Sequence, residues 1–154
     1  MHIWVDADAT PGSIKEIIFR AAVKREIQTT AVANRFMHIP RSPFIHFQLV
    51  SKGSDEADAY IVAKMAPGDL VITADIPLAD QVIKKEGIAI DPRGYTYTEA
   101  NIRERMSIRS FMEDLRSSGF QGGGPKSFND NNTKQFAGSF DRILTKSLKS
   151  SNRF

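Results

Sequence analysis

The sequence predicts a single α/β domain on a mainly parallel sheet, and three observations carry that expectation. Short β-branched runs alternate with stretches of helical apolar spacing over residues 1–92. After that point strand signals give way to two helical stretches. A chain of 154 residues with 41% apolar side chains fits one core rather than two. Strands separated by helices pair in parallel, because each crossover returns the chain to the starting edge of the sheet, and such a sheet is covered on both faces.

Ile3 to Val5 forms the first strand, and Ile14, Ile17, Ile18, Ala21 and Ala22 then recur at helical spacing between Ser13 and Glu26. Thr10 before Pro11 offers a capping hydroxyl for that helix, and Ser13 with Glu16 offers a rival capping box. Gln28 to Ala33, Phe44 to Val50, Leu70 to Thr73 and Ile88 to Ile90 read as the second to fifth strands. Asn34 to Pro43 contains Pro40 and Pro43, so it is a loop rather than a crossover helix. A helix starts near Asp55 and Asp58, and another follows Asp75 as N-cap with Pro77 in its first turn. Helical patterns over Thr98 to Ser118 and Thr133 to Leu148 flank a connector, Gly119 to Asn132, that holds Gly122-Gly123-Gly124-Pro125. The expected organisation is one domain over 1–150, with an α/β core at 1–92, a helical part at 93–150 and a disordered tail at 151–154.

Composition removes several function classes. No cysteine is present, so disulfides, thiolate zinc sites and cysteine nucleophiles are excluded, and a reducing compartment is expected. The N-terminus has no basic leader, and no run approaches the ~20 apolar residues that span a bilayer, so the expectation is a soluble cytoplasmic protein without a membrane partner. His2, His38 and His46 are too dispersed for a histidine metal site, and no serine motif resembles a nucleophile elbow. Net charge is +3, unevenly spread: acids outnumber bases over 1–91 and the reverse holds over 92–154. That asymmetry suits metal chemistry on a polyanion, and equally an unevenly charged surface. A homodimer is compatible with the sequence and not required by it.

Three acidic clusters stand out: Asp6 with Asp8 after the first strand, Asp55 with Asp58 at a helix start, and Asp75 with Asp80 after the fourth strand. In a parallel α/β sheet the residues just past the strands and those starting the next helices share one edge, where ligands bind, and Asp6, Asp58 and Asp75 all fall there. Asp58 is the most telling, because Ile61, Val62 and Met65 stand at i+3, i+4 and i+7, so a carboxylate heads an apolar stripe. Carboxylates gathered at one point repel one another unless a cation neutralises them. An all-oxygen donor set selects Mg²⁺ or Mn²⁺ over zinc or copper, with Asp8, Asp55 and Asp80 as nearby ligands or water-positioning groups. Such a site serves phosphoryl chemistry.

The segments Ile3-Trp4-Val5-Asp6-Ala7-Asp8-Ala9, Val71-Ile72-Thr73-Ala74-Asp75-Ile76-Pro77-Leu78-Ala79, Asp91-Pro92-Arg93-Gly94 and Gly123-Gly124-Pro125 resemble the bacterial YaiI/YqxD family over nearly the whole chain. That family is grouped with PIN-like and NYN-like domains, many of which are metal-dependent ribonucleases. The resemblance implies a three-layer PIN-like domain with C-terminal helices, and a nuclease acting on RNA. In the wider group an aspartate ends the first strand, an acid opens a middle helix in a pattern like Ala57-Asp58-Ala59-Tyr60-Ile61, and Thr/Ser-x-Asp follows a later strand. Asp6, Asp58, Thr73 and Asp75 match these positions and are the expected catalytic set. Relatives commonly carry cysteine where this chain has Thr10, so that side chain cannot be an indispensable thiol nucleophile.

Two other readings compete. Asp6-Ala7-Asp8-Ala9-Thr10 also resembles the signature of haloacid-dehalogenase-like phosphatases, with Asp6 as covalent nucleophile. Pro11 and the helix behind it leave no room for the flap those enzymes carry. A non-catalytic RNA-binding module would rest on the basic second half and on Arg35, Phe36, His38, Arg41 and Phe44. Converging aspartates would repel a nucleic-acid backbone, which favours catalysis, with Arg35, Arg41 and Lys52 orienting the strand. Arg103, Arg105 and Arg109 lie among Glu99, Glu104 and Glu113 and read as a solvated helix face. Trp4 and Tyr95 to Tyr97 read as packing.

Overall fold

Short apolar runs become strands here because alternate side chains of each can be buried on opposite faces of one sheet. The computed structural model describes residues 1–53, 55–117, 119 and 128–151. Its strands are β1 (Ile3–Asp6), β2 (Thr29–Ala33), β3 (Ile45–Leu49), β4 (Leu70–Ile72), β5 (Ile88–Ile90) and β6 (Thr96–Tyr97). They form one sheet in the order β3-β2-β1-β4-β5-β6. Every neighbouring pair is parallel except β6, which runs antiparallel to β5. This sixth strand was not expected from the sequence: two residues are too short for a periodic signal, and it exists because the turn after Ile90 folds Thr96 and Tyr97 back onto Ile90 and Ala89.

The helices are α1 (Gly12–Arg25), α2 (Glu56–Lys64), α3 (Ile76–Lys84), α4 (Glu99–Ser117) and α5 (Asp130–Ser151). Alternation sorts the strands between two cores. Ile3, Val5, Leu70 and Ile72 face Ile14 and Ile18 of α1 and Phe136, Phe140 and Leu144 of α5. Trp4, Val32, Val71 and Ala89 face Ile61 of α2, Leu78 and Val82 of α3 and Ile102 of α4. The result is the expected three-layer α/β arrangement with helices on both faces of a mainly parallel sheet and two helices at the C-terminal end.

Local details correct the sequence reading in three places. Neither expected cap serves α1: Pro11 occupies the N-cap with no side-chain cap bond. The Thr10 hydroxyl instead donates to the Asp6 carbonyl at 2.8 Å, closing the 3-10 turn Ala7–Ala9 that joins β1 to α1. The last helix begins earlier than Thr133, because Asn129 and Asn132 each accept the other's backbone N–H at 3.0 Å ahead of it. It also runs past Leu148 to Ser151, where a tail was expected. The remaining tail, 152–154, and most of the expected glycine-rich connector, 120–127, lie outside the described residues. No described helix is long and apolar enough to cross a membrane.

Candidate active site at the carboxyl edge of the sheet

The strand order decides where a ligand can enter. The chain lays β1, β2 and β3 outward to one side, then α2 carries it back and β4 and β5 extend to the other. The reversal falls between β1 and β4, and in such a sheet the connections diverge there, leaving a crevice beyond the carboxyl ends of the two strands. β1 ends on Asp6, and Thr73 and Asp75 follow β4. Register pairs Val5 with Ile72, so Asp6 and Thr73 come next to each other, and alternation turns both toward the α2 and α3 face.

Hydrogen bonds then fix the group. Thr73 is fully buried, and its hydroxyl donates to Asp6 Oδ2 at 2.9 Å while accepting the backbone N–H of Asp75 at 2.9 Å. Asp75 is the N-cap of α3, as expected, its Oδ1 accepting the N–H of Leu78 at 3.0 Å with Pro77 in the first turn. Asp58 lies in the first turn of α2, whose Ile61 is completely buried. Its carboxyl hydrogen-bonds with Asp75. Two strand ends and a crossover helix thus bring three carboxyl groups from separate parts of the chain to one place.

Their electrostatics follow from that crowding. Burial, then the charges of Asp75 and Asp6, the hydrogen bond with Asp75 and the charge of Asp55 push the Asp58 carboxyl up to about 7. Asp6 is also raised, chiefly by burial and further by Asp75 and Asp8, against the opposing hydrogen bond from Thr73. Near neutrality a proton at Asp58 relieves the repulsion that full ionisation would bring. A hard divalent cation would relieve it more completely, and oxygen donors of this kind suit Mg²⁺ or Mn²⁺. Among the described residues, no three acidic or imidazole groups are already arranged to close on an ion. The donor chemistry therefore fits a cation that would displace the proton, with the Asp58 carboxylate turning to receive it beside the held Asp6 and Asp75.

The other expected residues take different places. Asp55 precedes α2, exposed and without a side-chain cap bond, and adds its charge to Asp58. Asp8 is exposed, accepts the Asn34 N–H at 2.8 Å and lies 3.9 Å from Arg35 Nε, so it ties the end of β2 to β1 while its field reaches Asp6. Asp80 sits on α3 and pairs with Lys84 at 3.0 Å, apart from the charges that act on Asp6 and Asp58. Arg35 and Lys52 follow β2 and β3 at the carboxyl edge and are exposed. Arg41 stands four residues before β3, on the part of the loop returning to the opposite edge. β1 passes through the 3-10 turn directly into α1, so no flap of the haloacid-dehalogenase kind follows Asp6.

One acid was not singled out by sequence reasoning. Asp69, only 8% exposed, accepts the backbone N–H groups of His2 and Ala66 at 2.9 Å and the indole N–H of Trp4 at 3.1 Å. It precedes β4 and so stands at the opposite edge, where it ties the starts of β1 and β4 together. Nothing in its local sequence distinguishes this role from that of a surface turn residue after Pro67-Gly68.

A family model described as an uncharacterised bacterial group, the YaiI/YqxD family, matches residues 4–146. The chain belongs to the YaiI/YqxD family. Its relatives there include a UPF0178 protein of Dechloromonas aromatica, 56% identical over 146 residues that cover 95% of this chain and 97% of the relative. A UPF0178 protein of Syntrophotalea carbinolica is also 56% identical, covering 95% of this chain and 99% of the relative. One from Shewanella halifaxensis is 51% identical over 151 residues, 98% of this chain and 100% of the relative. No solved structure gives a significant match. The YaiI/YqxD segments named above hold Asp6, Thr73 and Asp75 of the crevice.

Proposed function

We propose that this chain is a metal-dependent nuclease that hydrolyses phosphodiester bonds in RNA. The observation that carries the reading is the meeting of Asp6, Asp58 and Asp75 at the β1–β4 reversal, with Asp6 and Asp75 tied together by the Thr73 hydroxyl. Asp6, Asp58 and Asp75 would hold Mg²⁺ or Mn²⁺, with Asp8 and Asp55 close enough to act on that set electrostatically. The bound ion supplies an acidified water and a positive charge against the phosphate oxygens. Thr73 keeps the Asp6 carboxylate in one orientation, and the α3 N-terminus does the same for Asp75. Arg35 and Lys52, exposed on the same edge, offer cations to the flanking phosphates.

Calorimetric titration of Mn²⁺ and Mg²⁺ into metal-free protein tests this, with Asp6→Asn and Asp75→Asn beside wild type and labelled single-stranded RNA incubated with each. The expected result is binding that both substitutions remove, with metal-dependent cleavage lost in parallel. Absence of binding in the wild type overturns it. A second reading, a non-catalytic RNA-binding module of the same fold, draws support from the exposed Arg35 and Phe36 beyond β2. Retention of RNA with no cleavage at saturating Mn²⁺ would favour it.

A further inference from the structure

A second concave surface lies apart from the carboxylate set. A cleft of about 640 Å³ opens between the turn that follows β5, α4 and α5. Four cations line it, Arg93, Arg105, Lys134 and Arg142, against one acid, Asp91. Asp91 is turned into its own turn, where its Oδ1 accepts the N–H groups of Arg93 and Tyr95, each at 2.9 Å. The Arg105 guanidinium, expected on a solvated helix face, is instead stacked 4.0 Å over the Tyr95 ring, which braces it without cancelling its charge. Arg142 bonds to a neutral partner, the Ser139 hydroxyl, at 3.1 Å, and neither it nor Lys134 forms an ion pair among the described residues.

The walls are held at fixed spacing. Gly94 has φ +92°, and a Cβ there would lie 2.7 Å from the Gln135 carbonyl, so the Asp91-Pro92-Arg93-Gly94 turn abuts the α5 backbone. Lys134, Gly138 and Arg142 follow one another at four-residue spacing along one side of α5. Asp91 follows β5, which runs parallel to β4, so this end of the cleft lies on the carboxyl edge of the sheet that also carries Asp75.

We propose that this cleft is a phosphate-binding site, in which Arg93, Arg105, Lys134 and Arg142 receive the phosphate groups of a nucleic-acid strand or of a phosphorylated small molecule. It stands independently of the nuclease reading, because binding alone tests it. Metal-free protein is titrated with a labelled single-stranded oligonucleotide, by fluorescence anisotropy, and with inorganic pyrophosphate, by calorimetry. Wild type is compared with a variant carrying Lys134→Ala and Arg142→Ala, and with a control carrying Arg20→Ala and Lys24→Ala on α1, all four positions being exposed. The cleft variant is expected to bind about 10-fold more weakly at low salt, with a salt slope shallower by about 1.4, while the control stays within about two-fold. Pyrophosphate binding that follows this pattern assigns the cleft to a small phosphorylated ligand, and oligonucleotide binding alone assigns it to a strand. Equal losses in both variants, no loss in the cleft variant, or no binding of either probe by wild type overturns the proposal.

Discussion

The Thr73 hydroxyl joins two acids that reach it from different strands, donating to Asp6 Oδ2 and accepting from the Asp75 N–H, each at 2.9 Å. Thr73→Val keeps the shape and removes both bonds, leaving a buried carboxylate oxygen and an N–H without partners. Its expected cost is about 1–3 kcal/mol. Thr73→Ser should recover most of that loss. Urea denaturation of the three proteins decides it, and a Val variant as stable as wild type would show that the bridge contributes nothing.

The raised Asp58 carboxyl gives stability a direction with pH. Its folded pKa of about 7 exceeds the unfolded value of 3.8, so between these the folded state holds more protons than the unfolded one. Stability of the metal-free protein should therefore fall as pH rises from about 4 to about 7 and level off above. Asp58→Asn should flatten that profile and add on the order of 1 kcal/mol at pH 8, after discounting for solvent screening. Denaturation midpoints across this range provide the check, and a flat wild-type profile would count against the crowding.

Asp80 and Asp58 should behave oppositely toward metal. Asp80 is half-buried and engaged by Lys84 one turn along α3, a helix-surface pair worth about 0.5 kcal/mol. Asp80→Asn is expected to leave Mn²⁺ affinity within about two-fold of wild type, whereas Asp58→Asn abolishes binding. Parallel calorimetry of the two variants separates them.

Asp69 is expected to matter for stability and not for chemistry. Asp69→Ala strands the N–H groups of His2, Ala66 and the Trp4 indole, at a cost of about 3 kcal/mol. The Mn²⁺ affinity of the folded fraction should not change, since Asp69 lies at the opposite edge of the sheet.

Gly94→Ala combines an unfavourable positive φ with a clash against the α5 backbone, where a Cβ would meet Gln135 at 2.7 Å. A loss of about 2 kcal/mol or more is expected. Gly12, where a Cβ would meet nothing within 4 Å, is the matched control for glycine loss in thermal unfolding.

The layers were legible in the sequence because their cause is local. Period-two runs such as Ile3-Trp4-Val5 and helical spacing such as Ile14, Ile18 and Ala22 state which side of an element is apolar, and strand–helix alternation then leaves few topologies. The same logic brings Asp6, Asp58 and Asp75 to one edge, since parallel strands all end on the same side. What it could not reach depends on distances between segments far apart in the chain. Asp80 resembles Asp75 in sequence, yet one turn of α3 gives it to Lys84. Asp69 looks like a turn residue, yet β1 and β4 converge on it. Arg105 looks solvated, yet the turn after β5 slides Tyr95 beneath it. The sequence by itself determined which residues share a face or an edge, because that follows from backbone periodicity. Tertiary structure alone decided which of them touch, because contact and charge coupling fall off within a few ångströms and are set by how helices seat on the sheet.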